Sequence, residues 1–384
     1  MKQTFDVIVV GAGYIGCSAA YHLCKAGLKT ALVEQGPPAA GASRANYGNI
    51  QIQDMELEKS SDMIQLARTR FAHLEEELGN KVGLRQISGL LTIETESQWK
   101  LMETRRSTVS TCGIFSELIP AEHLREVEPL IDPSGLLGAL YHAHEGQVDP
   151  FKLIWSYLVA ARRLGLQEYY QTPVTGFALN SGRIEGVQTS QGFLSAGCIV
   201  LCSGAYTAQL GQMLGCEWDI HYILGQALVT EPFDLLLRSH IASASFFEPA
   251  ENEEPGTVRA NFAISQSPHG HLLMGEAMYE AYHFKRHVPF QSLSSVSASV
   301  TNYFPVFSKL RILRSWSAPV AHTADSCPLL GPSSRYQGLF LAAGFRSTVI
   351  VTPLIGETVA GLVTRGKLEF DISNFLPERN NYAH

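Results

Sequence analysis

The sequence predicts an α/β architecture, and three observations carry that prediction. Phe5–Val10 (FDVIVV) is a short apolar run of the kind that forms a strand covered on both faces. It is followed by Gly11-Ala-Gly-Tyr-Ile-Gly16, a helical stretch over Cys17–Lys25 with Gly27 as its stop, and a second strand Thr30–Val33 ending at Glu34. Strand, turn, helix and strand within about 30 residues make a βαβ unit, the seed of a Rossmann-like parallel sheet. The tail returns to the same style, with Gly338–Ala343 (GLFLAA) as a buried strand before a final helix. Between the ends the chain is rich in strands, which predicts an inserted α+β domain built on a mainly antiparallel sheet.

The remaining elements follow in order. Asp54–Leu78 is helical by pattern, with Met63, Leu66, Ala67, Phe71 and Leu74 at helical spacing. Residues 85–95 are expected as strand, and the charged stretch from Ser97 to Glu128 as exposed helices. Asp149-Pro150 opens a helix over Phe151–Arg163, because proline is favoured in a first helical turn. Pro173–Ala178, Arg183–Thr189 and Cys198–Cys202 are three strand-like runs separated by glycine-containing turns. Residues 220–320 alternate strands with polar loops, Glu248–Gly256 being a charged one. Thr352-Pro353 is expected to cap a last helix running to Val363. Residues 1–80, 141–215 and 320–375 are assigned to the nucleotide-binding domain, and 81–140 with 216–319 to the inserted one.

Composition excludes several function classes. At 384 residues, 45% hydrophobic and 17% charged, the chain can bury a large core, so wholesale disorder is excluded. Lys+Arg 29 against Asp+Glu 36 gives −7, which argues against a nucleic-acid surface. No run of about 20 uncharged apolar residues is present, so no membrane span is expected. No signal-peptide pattern follows Met1-Lys2, and seven cysteines without a C-x-x-C pair suit a reducing compartment; both point to a cytoplasmic protein. No histidine cluster has metal-ligand spacing, so no metal is expected.

The chemistry sits in the glycine turn. Alone, G-x-G-x-x-G is weak; here a strand precedes it, a helix follows, and an acid stands 18 residues past Gly16. Gly11 permits the tight turn, and Gly13 leaves room for a pyrophosphate at the helix N-terminus, where free N–H groups and the helix dipole favour negative charge. Gly16 lets helix and strand approach closely. Glu34 can accept hydrogen bonds from both hydroxyls of an adenosine ribose. Tyr14, Ile15 and Gln35 flank these positions. NAD and FAD share this fingerprint. The loop after the second strand, Gly41-Ala-Ser-Arg-Ala-Asn-Tyr-Gly-Asn49, supplies Ser43, Arg44 and Asn46 as donors suited to a pyrophosphate or to flavin carbonyls.

With these residues the chain resembles the D-amino-acid-oxidase-like (DAO) FAD-dependent oxidoreductases, the group containing glycine oxidase, sarcosine oxidase and, in closer likeness, catalytic subunits of opine oxidase or hydroxyproline dehydrogenase. The resemblance spans the whole length. It includes Gly146-Gln-Val-Asp-Pro150, Thr172-Pro-Val174, Cys202-Ser-Gly-Ala-Tyr206, Gly225-Gln226, His269–Gly275, Asp325–Gly331 (DSCPLLG) and Gly338–Gly344. It implies FAD held along Gly11–Gly16, Glu34, Gln35, Ser43, Arg44, Asn46, Tyr47, Gly48, Asn49, Val174, Ser203, Gly204, Gly344, Arg346, Ser347, Thr348 and Val349. The cofactor is expected to be noncovalent, because Cys327 falls several residues beyond the family's position for covalent attachment.

The departures carry information. The family's arginine for a substrate carboxylate is missing from Ser317-Ala-Pro-Val-Ala-His322, and its aromatic partner falls around Phe262-Ala263. The loop over the flavin becomes Gly344-Phe-Arg-Ser-Thr-Val-Ile350, which makes Arg346 the candidate carboxylate partner, its planar fork suiting that group. Gln51, Met278 and Tyr279 are the other expected substrate contacts. No side chain is nominated as a catalytic base, since a flavin is itself the electron sink and an amine can bind deprotonated. A helix N-terminus near Thr352-Pro353, with the N–H groups of Ser347–Val349, is expected to face the flavin's N1–C2=O edge. The resemblance implies oxidation of the C–N bond of an amino acid or an opine-like N-substituted amino acid, with smaller flavin- or iron–sulfur-bearing subunits as partners. Three alternatives stand beside it: a glycine- or sarcosine-type oxidase using oxygen, an NAD-linked dehydrogenase, and a non-catalytic FAD-binding scaffold.

Overall fold

The computed structural model describes residues 4–52, 55–234, 237–248, 259–280 and 290–379, with the side chains of 144, 259, 260, 279 and 280 outside the description. Its centre is a six-stranded sheet in the order Leu329–Pro332, Leu339–Ala343, Ile199–Leu201, Val7–Val10, Thr30–Val33, Gln167–Tyr169. All neighbours are parallel except the edge pair Leu329–Pro332 and Leu339–Ala343. Every residue of Val7–Val10 and Thr30–Val33 is buried, as a parallel strand sandwiched between two layers requires.

One layer is made by the helices Tyr14–Lys25, Pro150–Arg163 and Thr348–Thr364. They approach closely because Gly356 has no side chain: a Cβ there would lie 2.1 Å from Ser18 Oγ. The other layer includes a four-stranded sheet ordered Thr4–Phe5, Gly192–Ala196, Arg183–Thr189, Val174–Asn180.

The largest sheet has nine strands. Along it run Ile312–His322, His221–Pro232, His271–Glu280, Arg259–Gln266, Ser239–Ser243, Arg85–Ile93, Gly138–Gln147 and Asn49–Ile50, with Ser116–Pro120 pairing onto Gly138–Gln147. It is antiparallel apart from Ser239–Ser243 on Arg85–Ile93. Alternate residues choose alternate faces. Phe262 and Ile264 join the core beneath helix Phe290–Tyr303, while Ala263 faces the opposite side with Leu91, Leu140 and Ala242.

Four sequence expectations change. The stretch 220–320 contains the helix Phe290–Tyr303, hidden by its Ser, Thr and Val content but held by Val296, Val300 and Tyr303 at helical spacing. Asp54–Leu78 is not one helix: Ser61–Arg70 and Leu74–Leu78 are separate, and residues 53–54 lie outside the description. The stretch expected as exposed helices holds the strand Ser116–Pro120 between Glu96–Thr111 and Leu124–Val127. The last helix starts at Thr348, not at Thr352-Pro353, and Pro353 lies inside it. The proline rule located the helix but misplaced its start by one turn.

All seven cysteines are free thiols. Among the described residues no helix is long and apolar enough to cross a membrane, and no group of His, Cys, Asp or Glu side chains is arranged to hold a metal ion.

Candidate active site

A cleft opens over the C-terminal ends of the central parallel strands, where ligands of open α/β sheets bind. Gly11 follows the strand with φ 108°, in the left-handed region, and its N–H donates to Val33 O at 2.8 Å. A Cβ at Gly11 would sit 2.5 Å from Cys202 O, and one at Gly16 1.8 Å from Gly11 O; backbone fills both places. A Cβ at Gly13 would lie 2.9 Å from Ser43 Oγ, which accepts from Tyr14 N at 3.2 Å. Helix Tyr14–Lys25 carries no acidic residue in its first turn and no side-chain cap at Gly13, which leaves its N-terminus to an anion.

Glu34 holds the next position through its own turn. Its Oε2 accepts from Ala12 N at 2.8 Å and its Oε1 from Gly36 N at 2.9 Å. Each oxygen keeps a further lone-pair direction for a ribose hydroxyl. Glu34 O accepts from Thr172 N at 2.9 Å, which ties Thr172-Pro-Val174 to the same end. Ser203–Tyr206 closes this end, joined by Gln209, Leu210 and Met213 on the following helix. The donor and acceptor set fits an adenine dinucleotide: bare glycines where a diphosphate must approach, and a carboxylate where the ribose must lie.

At its other end the cleft is lined by Pro319, Val320 and Ala321 and by Ala342–Phe345 and Thr348. The turn there is left-handed at Gly344 (φ 78°) and at Ser347 (φ 43°), so that helix Thr348–Thr364 starts abruptly at the cleft. Its first turn bears no acid, and Thr348 Oγ1 is committed to Phe345 O at 2.9 Å. The N–H groups of this turn suit negative charge developing on a bound ring.

Of the residues singled out in the sequence, Gly11, Gly13, Tyr14, Ile15, Glu34, Gln35, Ser43, Val174, Ser203, Gly204, Gly344 and Thr348 line one cleft. Gly16 supports it from behind. The others lie elsewhere. Arg44 is exposed, and Asn46 spends its Oδ1 on Gly48 N at 2.6 Å. Gly48 packs against Val148 O, where a Cβ would be 2.0 Å away. Tyr47 turns toward the large sheet: its hydroxyl occupies the space over Gly275, 2.2 Å from where a Cβ would be. Burial raises its phenol pKa, and the charge of Glu276 raises it further.

Asn49 is buried in a network. Its Nδ2 donates to His240 Nδ1 at 2.7 Å, which puts the His240 proton on Nε2. Gln147 Nε2 lies 3.2 Å from Asn49 Oδ1 and 2.9 Å from Ser265 Oγ, and Arg85 Nε donates to Gln147 Oε1 at 2.8 Å. The network ties the loop after the second strand to the large sheet. Val349 is core, and Ser347 serves as the turn at the helix start.

Gln51 lines a second cavity, with Arg68, Arg85, Glu145 and Ile350. Met278 is half-buried opposite Gly225, and Tyr279's side chain lies outside the described residues. Arg346 reaches the strand beside the cleft, its Nη2 3.2 Å from His322 Nδ1. A guanidinium only donates, so His322 accepts and is neutral in this arrangement. Phe262 proves to be on the far face of the sheet, against Tyr303 and Phe304, and the aromatic expected near the substrate is not supplied by it.

Sequence reasoning missed Glu276, His240 and Val320. Glu276 had a signal, being the single ionisable residue in the apolar run 272–278. Buried Cys202 is held well above the ordinary thiol pKa by desolvation, which leaves it a packing residue beside the glycine turn. Burial depresses the His142 ring to about 3, with Arg105 adding to the effect, so it stays neutral.

Fold and cleft together define a dinucleotide-binding oxidoreductase, with a parallel sheet for the cofactor and an antiparallel sheet roofing the far end. The family model described as DAO, FAD dependent oxidoreductase, matches residues 6–362, and the chain belongs to this family. FAD is its cofactor, which sets the NAD-linked alternative aside. The chain is 28% identical over 395 residues to glycine oxidase of Geobacillus kaustophilus, covering 99% of this chain and 98% of that protein. The crystal structure of that glycine oxidase superposes with a TM-score of 0.88, at 25% identity over 98% of this chain and 99% of the other. Human mitochondrial dimethylglycine dehydrogenase is 25% identical over 402 residues, 98% of this chain but 44% of that protein. The chain thus spans under half the length of that relative. Sarcosine oxidase subunit beta of an Arthrobacter species is 24% identical over 393 residues, 100% of this chain and 93% of that one.

Proposed function

We propose that this chain oxidises the C–N bond of an amino acid or N-substituted amino acid, of opine or hydroxyproline type, as the catalytic subunit of a multi-component dehydrogenase. On this reading residues 1–80, 141–215 and 320–375 hold the cofactor, while 81–140 and 216–319 carry the substrate surface. Bound FAD would supply the two-electron acceptor, taking a hydride from the substrate α-carbon and leaving an imine for water to hydrolyse.

The chain's own residues bind and orient. The glycine turn and Ser43 take the diphosphate, and Glu34 takes the ribose. The first turn of helix Thr348–Thr364 stabilises negative charge at the inner end. Arg346, held by His322, presents a guanidinium to a substrate carboxylate, and its five donors allow a two-point grip. That arginine is the observation that carries the reading. The cleft runs from a ribose-binding carboxylate at one end to the strand bearing Arg346's partner at the other, as a bound cofactor with an amino-acid substrate beyond it requires. Support for the multi-component part comes from the relative that is itself a subunit, sarcosine oxidase subunit beta.

The test is anaerobic reduction of the bound flavin by proline, hydroxyproline, sarcosine, glycine and octopine-type compounds. Fastest bleaching by an N-substituted or cyclic amino acid is expected. Fastest bleaching by glycine or sarcosine would favour the simple oxidase instead, and no bleaching by any compound would leave a scaffold.

A further inference from the structure

Residues 281–324 contain no aspartate or glutamate and five cations, Lys285, Arg286, Lys309, Arg311 and Arg314, in a chain whose overall charge is −7. Lys285 and Arg286 lie outside the described residues; the other three stand together at a tip between helix Phe290–Tyr303 and the strand Ile312–His322. Phe307 roots this tip, buried edge-on against Phe233 and stacked on Phe304. Around that root Val306, Lys309, Arg311, Ile312, Leu313 and Arg314 are all exposed. Val306 is 43% exposed, Ile312 47% and Leu313 61%. Apolar side chains scattered singly on a surface are ordinary, whereas a cluster of them rimmed by charge marks a binding face. Among the described residues none of the three cations enters an ion pair. Glu231 is the acid at the base of the tip, and its Oε1 accepts from Arg311 N at 2.9 Å.

The tip is shaped for a surface rather than for another strand. Ile312–His322 lies at an edge of the nine-stranded sheet, paired to His221–Pro232. Its register slips at the tip: Arg314 pairs with Val229 and Ile312 with Thr230, which leaves Leu313 as the extra residue of a bulge. A bulge with cations on both sides blunts an edge against strand addition and re-aims the bulged side chain. What remains is a convex point with two adjacent aliphatic side chains and positive charge about them. A fluid lipid layer receives such a point without a matching groove: apolar side chains enter the acyl boundary and cations meet anionic headgroups. Helix Phe290–Tyr303 continues the acid-free stretch over the far face of the sheet, and Phe290 in its first turn is 81% exposed. The cleft stays open on such a seat, because Val320, which lines it, is roughly 25 Å along the strand from Ile312.

We infer that the tip 306–314 seats this protein peripherally on an anionic membrane surface. Ile312 and Leu313 enter the interface, and Lys309, Arg311 and Arg314 face the headgroups. The inference is independent of which amine the flavin oxidises.

The test floats the FAD-loaded protein with vesicles of phosphatidylcholine alone and with vesicles of equal parts phosphatidylcholine and phosphatidylglycerol. Binding to the anionic vesicles is expected to be roughly 100-fold tighter, the scale of three cations near a charged surface, and to weaken as salt is raised. The triple variant Lys309→Ser, Arg311→Ser, Arg314→Ser loses that preference. Leu313→Ser keeps the preference and its salt dependence but binds both kinds of vesicle roughly tenfold more weakly, the scale of one inserted leucine. All four positions are exposed, so flavin content and melting temperature are expected to stay at wild-type values.

Equal binding to both kinds of vesicle overturns the inference, as does an anionic preference that survives the triple substitution. Failure to bind anionic vesicles, with binding of poly-glutamate through the same three cations, also overturns it and assigns the tip to an acidic protein. A Leu313→Ser variant that matches the wild type on anionic vesicles reduces the contact to charge alone and overturns the seated geometry.

Discussion

The two ends of the cleft are built by different means. The glycine-turn end is made of backbone: Gly11 and Gly16 are bare because main-chain atoms occupy their side-chain space, Gly13 is bare beside the Ser43 hydroxyl, and Glu34 folds back on the same turn. The inner end is lined by residues that come together from far apart in the sequence, Pro319–Ala321 from one strand and Ala342–Phe345 with Thr348 from the last strand and helix, and Arg346 reaches His322 beside it. A backbone cradle fixes which cofactor class binds and tolerates little change. A side-chain surface on a sheet can be rewritten residue by residue, which is how one fold serves many substrates.

The largest effect that would break or uphold this contrast is at the cradle. Gly16→Ala places a methyl group 1.8 Å from Gly11 O, a backbone atom that cannot step aside. The variant is expected to purify without flavin colour and to lose about 3 kcal/mol of stability, the upper part of the usual cost of overpacking. Retention of full FAD content, read from the visible spectrum, would show that the cradle is softer than its geometry implies.

At the inner end the expected loss is smaller and of a different kind. Arg346→Ala should keep its FAD and raise the KM for amino-acid substrates roughly 30-fold, as removal of one charge-assisted contact does. Arg346→Lys should recover only part, because an ammonium cannot grip a carboxylate at two points. Steady-state kinetics beside flavin content decides it: loss of FAD from Arg346→Ala would move this arginine to the cofactor.

The smallest effect separates the two regions by pH. Glu128 is fully buried, and its Oε2 accepts from Arg238 N at 2.9 Å and Ser239 N at 3.1 Å, where the strand Ser239–Ser243 begins in the large sheet. Burial raises its carboxyl to about 7, against the opposing pull of these N–H groups. Protonation is then favoured in the folded state, so this stabilising contribution is complete below about 4.5 and is lost as pH rises to about 7. Glu128→Gln keeps an acceptor oxygen and does not ionise. Its melting temperature relative to the wild type should rise over that pH interval; a constant difference would show that Glu128 does not titrate with folding.

The same contrast explains what the sequence made legible. The βαβ start, the acid that ends its second strand, the Thr172-Pro-Val174 turn and the final strand were readable because they are local, and turn chemistry and periodicity are local signals. Twelve of the residues named from sequence line one cleft. Those after Ser43 fared differently: Asn46 closes its own turn, Tyr47 faces the large sheet, and Asn49 is buried with His240, 191 residues away. A donor-rich loop says that hydrogen bonds will form, not with whom. Strand pairing decided the rest. Phe262 went to the far face because a strand's alternation fixes all its side chains at once. The helix Phe290–Tyr303 was lost to weak propensity that tertiary packing overrides.

The most direct test of the central claim is a crystal structure of the protein with FAD and a bound carboxylate inhibitor. The account predicts the diphosphate over Gly11–Gly13, ribose hydroxyls on Glu34, the flavin ring between Val320 and Thr348, and the inhibitor's carboxylate within hydrogen-bond reach of Arg346. A flavin ring bound outside that end of the cleft, or an inhibitor carboxylate seated away from Arg346, would contradict it.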